Sequence, residues 1–356
     1  MIWLFLICLV LLVFTLQRHW AQWSLDHLVY SVSCDTLLAE PEQTLTLTSS
    51  IENRWFLPIL YINLMESLPF EATLLEDPAW IEENARITPR EVCVEETTYL
   101  MPRRRQVNTL HFSLPHRGRY QLGGMVLSAG DFLGMKEAML RQNACREVVV
   151  LPRRCSDPDV LRTLGGFLGD ISVRRFILED PVLTIGFREY TGREPMKSIS
   201  WTQSARAGQL LVKQYDHTVD VTVTVLLNAE GGSLEQMEQC FSLARTACEL
   251  LEEKGIPYDF RTNGDLIGPM GPIPHISEGL GRPHLNTILY GLGRAGGRCL
   301  APLERLVEQS LRSVRANQSY LVITPPLAPR QKLLIERLRA AAGGAMHILA
   351  GEEADA

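Results

Sequence analysis

The densest concentration of chemistry-bearing side chains lies between Ile185 and Tyr215. Arg188, Arg193, Lys197, Arg206 and Lys213 are interleaved there with Glu189, Tyr190, Glu194, Trp201, Ser204 and Tyr215. Guanidinium groups beside carboxylates make charge-assisted, often bidentate hydrogen bonds, and aromatic faces attract cations, so the mixture suits a connected network. Two roles fit it. In one, the arginines pair with acidic groups and Trp201 fills a seam between domains, a structural clamp. In the other, the same residues form a docking face for a partner. Buried Trp and paired Arg serve packing as readily as recognition, which makes the clamp the simpler reading.

Other groupings are sparser. His275 and His284 flank a Gly- and Pro-rich loop and lie within reach of Cys299 in sequence; with a carboxylate such as Asp265 they define a hydrolase alternative centred on residues 265–284. Lone loop histidines are more often polar surface. Gly291, Gly293 and Gly296 spell G-x-G-x-x-G, the spacing that cradles a dinucleotide pyrophosphate where a strand turns into a helix. That fingerprint also asks for an acidic residue about 20 positions on. Ser310 to Ala328 offers none, so the run reads as a flexible loop. No P-loop, nucleophile elbow or zincin motif occurs. The eight cysteines contain no C-x-x-C pair, so neither a zinc site nor a disulfide framework is suggested, and they read as reduced thiols, with Cys240 and Cys248 on a helical core face; with none of these motifs complete, no cofactor is expected.

With 356 residues, 46% of them hydrophobic, the chain buries a core and fits two domains. Thirty-five Lys and Arg against 41 Asp and Glu leave a net charge of −6, which removes the electrostatic footprint of a general nucleic-acid binder.

Four regions position these residues. Residues 1–25 hold a membrane anchor: Ile2 to Leu16 is apolar except for Thr15, and Arg18, His19, Trp20 and Trp23 follow as interfacial flank. Basic residues lie only after the run, which puts the main body of a single-pass membrane protein in the cytoplasm. Residues 26–151 read as an antiparallel β-sandwich. Leu45 and Leu47 alternate with Thr44, Thr46 and Thr48, a rhythm repeated at Val107 to Leu114 and Arg119 to Leu127. Arg103, Arg104 and Arg105 after Pro102 read as a solvated hairpin tip, with a partner patch as the alternative. Residues 152–218 form a linker with the charged segment.

Residues 219–356 change period. Val219 to Leu227 is a β-branched strand leading into a helix in which Leu234, Met237, Phe241, Ala244, Cys248 and Leu251 share a face. Ser233 and Gln236 fit a capping box at its start. Strands near Tyr258 to Arg261, Tyr320 to Thr324 and Met346 to Leu349 alternate with helices near Pro283 to Gly291, Pro302 to Val314 and Pro329 to Ala342, a doubly wound α/β pattern.

The charged segment resembles the domain of unknown function 58 family, whose hallmark runs approximately R-x-Y-x-x-G-D-x-x-R-x-I-x-W-x-x-S/T-A-R and then L-x-V-K/R. Arg188, Tyr190, Ile199, Trp201, Ser204, Ala205, Arg206, Leu210, Val212 and Lys213 match its spacing. A second signature is echoed by Arg117, Gly118, Arg119, Tyr120, Leu122 and Gly123, then Asp131, Phe132, Leu133 and Gly134. The chain departs from the hallmark at Arg193 and Glu194, where the family has Gly-Asp, and at Lys197, where it has arginine. Glu194 keeps a carboxylate; Lys197 loses the bidentate fork.

The resemblance implies a von Willebrand factor A-like terminal domain, hence an α+β multidomain chain of transmembrane helix, β-sandwich and doubly wound α/β unit. In that fold a D-x-S-x-S motif after the first strand builds a metal site. Asn228, Ala229, Glu230, Gly231 and Gly232 stand there instead, without either serine or the aspartate, so the position reads as degenerate and metal-free. The resemblance further implies a non-enzymatic, membrane-tethered scaffold with a MoxR-type AAA+ ATPase as partner, working in assembly or envelope maintenance, with no small-molecule substrate.

Overall fold

The computed structural model describes residues 15, 19–130, 137–177, 180–192, 194–216, 221–268, 271–314, 318–342 and 346–350. Nearly all of the apolar run 2–16, the 131–134 turn and Arg193 lie outside the described residues. Among the described residues no helix is long and apolar enough to cross a membrane. The chain divides into two units, Met1–Arg153 and Arg154–Ala356.

In the first unit a helix, α1, is described over residues 19–26 and runs into two sheets. Strands β1 (Leu28–Cys34), β2 (Leu38–Ala39), β3 (Leu45–Asn53), β4 (Ile59–Pro69) and β5 (Thr73–Leu74) come first. A short helix α2 (Pro78–Asn84) precedes β6 (Ala85–Ile87), β7 (Glu91–Leu100), β8 (Arg105–Ser113), β9 (Gly118–Gly130) and β10 (Glu137–Val150). Asp77 starts α2 by accepting from the Ala79 amide at 3.1 Å, with Pro78 supplying the pre-set φ of a first helical residue.

One sheet has the order β1-β3-β8-β5, the other β2-β10-β9-β4-β7-β6. The period of two does its work here. Leu45, Leu47 and Ile51 of β3 and Phe112 of β8 join Ile62, Leu64 and Leu68 of β4 and Leu122 and Leu127 of β9 in one buried cluster, as expected of a sandwich. The pairing is antiparallel with one exception: β2 lies parallel to β10, Leu38 and Ala39 opposite Val149 and Val150.

The second unit begins with a helix for which the sequence gives no periodic signal, α3 (Pro158–Ile177). Leu164, Phe167, Leu168 and Ile171 bury one face of it, while Gly165, Gly166 and Gly169 face open space. Then come β11 (Asp180–Glu189), α4 (Trp201–Ala207) and β12 (Leu211–Asp216), with β11 antiparallel to β12.

The remainder is β13 (Thr222–Leu227), α5 (Leu234–Glu253), β14 (Tyr258–Thr262), the two-residue strands β15 (Ile267–Gly268) and β16 (Gly271–Pro272), β17 (His275–Gly279), α6 (Arg282–Arg294), α7 (Leu303–Arg312), β18 (Gln318–Thr324), α8 (Pro329–Ala342) and β19 (Met346–Ala350). The sheet order is β17-β14-β13-β18-β19. Strands β14, β13, β18 and β19 run parallel, and β17 runs antiparallel at the edge. Every residue of β13 and β18 is buried, the mark of a parallel sheet covered on both faces. Leu226, Tyr320 and Val322 pack with α7 and α8 through Leu303, Leu306, Val307, Ile335 and Leu338. Helix α5 packs against α6 and covers β13 and β18 from the other side.

Two sequence expectations need correction. The capping box of α5 is present, Ser233 Oγ accepting from the Gln236 amide at 3.2 Å and the Gln236 side chain from the Ser233 amide at 2.9 Å. Leu234, however, is 73% exposed, because the first turn of α5 projects beyond the sheet-facing stripe that starts at Met237. Gly291 and Gly293 are not in a flexible loop but buried in the last turns of α6. A Cβ at Gly291 would come within 2.7 Å of Leu266, so this glycine serves close packing and not a phosphate.

A helix interior glycine facing solvent costs chain entropy without returning any packing. Gly165→Ala and Gly169→Ala should each stabilise the protein by ~0.5–1 kcal/mol in denaturant unfolding, since an added Cβ at either meets nothing within 4 Å.

Candidate functional site

The charged segment folds as a small framework of β11, α4 and β12. Its inner residues tie it together. Ile199 and Val212 are buried and form a bridge. Ser204, buried within α4, accepts from the Leu211 amide at 2.8 Å and fixes the helix to β12. The Tyr190 amide donates to Leu210 O at 2.9 Å. Gly208 closes α4 at φ 70°, a left-handed geometry suited to glycine, donating its amide to Ser204 O at 2.9 Å.

Glu194 holds the turn between β11 and α4. It accepts from the Thr191 hydroxyl at 2.8 Å, the Thr191 amide at 3.1 Å and Arg188 Nη1 at 2.5 Å. These bonds, that from the Thr191 hydroxyl foremost and that from Arg188 next, favour the ionised form and lower its pKa to about 2. Glu194 and Arg188 thus form an ion pair across the turn.

The remaining motif side chains point away from this framework. Trp201 is 59% exposed and Met196 67%, and Lys197 and Arg206 are exposed beside them, with Lys213 partly so. Trp201 is thus not packed into the β11–α4–β12 framework itself. The segment separates into a hydrogen-bonded inner half and an outward half in which apolar surface and positive charge are mixed.

A second polar cluster lies at the carboxyl ends of β13, β14 and β18, where open α/β sheets bind their ligands. Asn228, 1% exposed, donates from Nδ2 to Thr324 Oγ1 at 3.0 Å. Its Oδ1 accepts from Asn263 Nδ2 at 2.8 Å and the Glu230 amide at 3.0 Å. Asn263 Oδ1 accepts from the Ala229 amide at 2.7 Å, and Thr324 Oγ1 donates onward to Pro325 O at 2.9 Å. Glu230 turns away from this cluster and accepts from the Leu303 amide at the start of α7, an anion on a helix N-terminus. Gly232 lies against Pro325, where a Cβ would approach to 2.8 Å. Sequence reasoning finds Asn228, Glu230 and Gly232 but not Asn263 or Thr324; the available signal is that Asn263 directly follows one strand and Thr324 ends another.

The proposed hydrolase residues are not brought together. Asp265, beyond the carboxyl end of β14, accepts from the Gly296 and Arg298 amides, both at 3.1 Å. His284 binds the other end of β14, donating from Nε2 to the Tyr258 carbonyl at 3.1 Å. His275 Nε2 lies 3.6 Å from Asp259, which is buried and accepts from Thr224 Oγ1 at 2.5 Å and Arg261 Nε at 2.7 Å. Cys299 Sγ donates to Ala301 O at 3.0 Å, and partial burial pushes its thiol up, away from the thiolate form a nucleophile needs. Asp259 and Arg261 were missed in sequence although the alternation Tyr-Asp-Phe-Arg-Thr places both on one face of β14. Among the described residues no group of His, Cys, Asp or Glu side chains is placed to hold a metal ion.

No protein-family profile matches the chain, and no curated protein matches it. Among solved structures it is similar to the CARDB domain of the PF1109 protein from Pyrococcus furiosus, at 12% identity over 35% of this chain and 91% of that one, TM-score 0.23. It is similar to alpha-2-macroglobulin from Escherichia coli at 16% identity, over 36% of this chain and 17% of that one, TM-score 0.26. A cohesin module from a Clostridium perfringens family 33 glycoside hydrolase matches at 10% identity over 34% of this chain and 94% of that one, TM-score 0.23. Likenesses at these TM-scores carry no functional weight.

Because the pKa of Glu194 is depressed, its support of the turn is present above the ordinary carboxylate value and is lost as pH falls from there through about 2. Hydrogen-exchange protection of the Thr191 amide should be constant near neutrality, fall across that acid window, and be absent at every pH in Glu194→Ala.

Proposed function

We propose that this protein is a non-enzymatic, membrane-tethered scaffold of the domain of unknown function 58 type. The outward half of its charged segment docks an acidic surface on a MoxR-type AAA+ ATPase in the cytoplasm, in assembly or envelope maintenance. The observation that carries this reading is the exposure of Trp201, which lies between Lys197 and Arg206 in sequence, and of Met196, next to Lys197, on a framework already held by its own hydrogen bonds. Trp and Arg are the side chains most enriched where binding energy concentrates, and positive charge beside them selects an acidic partner. Tethering rests on the apolar run from Ile2 to Leu16 and its Trp and basic flank.

We further read the five-stranded sheet and its helices as a von Willebrand factor A-like unit that works without a metal. A divalent cation needs an anionic, oxygen-lined opening at Asn228. The Asn228 amide already has protein partners on both its nitrogen and its oxygen, Glu230 is committed to the α7 N-terminus, and Pro325 occupies the space a serine at position 232 would need. The residues present do not fit the ion.

Recovery of the full-length protein from its native membrane should enrich an AAA+ ATPase. Trp201→Ala should weaken that association by ~2 kcal/mol, about 30-fold, with an unchanged melting temperature, and Lys197→Glu with Arg206→Glu should abolish it. Enrichment of no such ATPase by the unmodified protein would overturn the partner assignment. Titration with Mg²⁺ in a calorimeter should give no saturable heat; a saturable heat that vanishes in Asn228→Ala would overturn the metal-free reading.

A further inference from the structure

Three segments distant in sequence meet at one end of the sandwich. Leu28, at the start of β1, pairs with Asn53 at the end of β3; Glu52 pairs with Arg105 at the start of β8; Ile59, at the start of β4, pairs with Leu100 at the end of β7. Helix α1, the 54–58 loop and the 101–104 turn therefore share that end. Asn53 fastens them. It is fully buried, and its Nδ2 donates to the carbonyls of Leu57 at 2.9 Å, Leu100 at 3.3 Å and Met101 at 3.2 Å. Its amide donates to Arg104 O at 2.9 Å, its Oδ1 accepts from the Trp55 amide at 2.8 Å, and the Arg54 amide donates to His27 O at 3.0 Å.

Aromatic rings continue the join. Trp55 is buried with its ring centroid 5.1 Å from Trp20 and stacked on His27 at 5.2 Å, and Phe56 meets its edge at 5.9 Å. What this end presents outward is apolar: Phe56 is 69% exposed, Met101 50% and Trp23 42%. Around them stand the exposed cations Arg54, Arg103, Arg104 and Arg105, against Asp26 and Glu52 as the nearby acids. A chain that needed only a solvated turn would not hold a Phe and a Met outward on a hydrogen-bonded base. An exposed apolar patch rimmed by charge marks an interaction surface. Trp and neighbouring aromatic rings suit the level of lipid headgroups, and arginines there attract anionic lipid.

The position of the patch selects its occupant. Only Gln17, Arg18 and His19 separate the apolar run from Trp20, so a chain tethered through that run brings this end of the sandwich to the bilayer. We infer that this end lies on an anionic phospholipid surface, with Phe56, Met101 and Trp23 at headgroup depth and Arg103 and Arg104 against the phosphates. The inference rests on the tethered reading above and deepens it, since it makes the sandwich a seated body and not one swinging on a leash.

The test is lipid photocrosslinking of the full-length protein in vesicles of phosphatidylcholine and phosphatidylglycerol carrying a photoactivatable phosphatidylglycerol, with adducts mapped by mass spectrometry. Adducts are expected on residues 54–58 and 101–104, reduced severalfold by Arg103→Glu with Arg104→Glu, by Phe56→Ser, and by omitting phosphatidylglycerol from the bulk lipid, at unchanged melting temperature. Adducts confined to residues 2–16 would overturn the inference and leave the tether standing. Adducts on 54–58 and 101–104 without any on 2–16 would support the surface and sink the tether. Crosslinks between protein copies through these segments, in place of lipid adducts, would also overturn it.

Discussion

Covering a parallel sheet on both faces withdraws its central strands from water entirely, so every polar group where those strands end must find its partner inside the protein. The second unit meets this demand at the carboxyl ends of β13, β14 and β18. Asn228, Asn263 and Thr324 bond to one another and to the backbone, and Glu230 caps α7. The region where a related architecture would open toward a ligand is here closed by amides and one hydroxyl. Exposed polar and apolar side chains of the second unit gather instead on the charged segment, at Met196, Lys197, Trp201 and Arg206.

That segment divides its labour. Glu194, Ser204, Ile199 and Val212 are consumed in making a framework, and Trp201, Lys197 and Arg206 are left over by it. One sequence motif thus contains both a scaffold and the face it displays. A spacing pattern alone does not separate the two, because neighbouring residues on a short helix differ in role only through the direction each side chain takes.

Elements whose evidence is local were legible. The alternation of Leu45 and Leu47 with threonines located β3, and Ser233 with Gln236 located the start of α5. Helix α3 was hidden because Gly165, Gly166 and Gly169 lower its propensity and break its apparent period, while burial of Leu164, Phe167, Leu168 and Ile171 forms it all the same. The glycine spacing at Gly291, Gly293 and Gly296 misled for the opposite reason: close approach of Leu266 at the first and of the Asp265 carboxylate at the third demands glycine without any ligand. The amide cluster was invisible since Asn228 meets Thr324 96 positions later, a juxtaposition no window contains.

The parallel pairing of β2 with β10 bears on how the chain is made. Strand β10 lies inside the six-stranded sheet, between β2 and β9. As the polypeptide leaves the ribosome, residues 38 to 130 emerge before the strand that must fill that place, leaving β9 with an open edge until Val150 is clear. The six-stranded sheet is therefore completed only by its last strand in sequence, and until then the edge of β9 that β10 covers has no partner within the sheet.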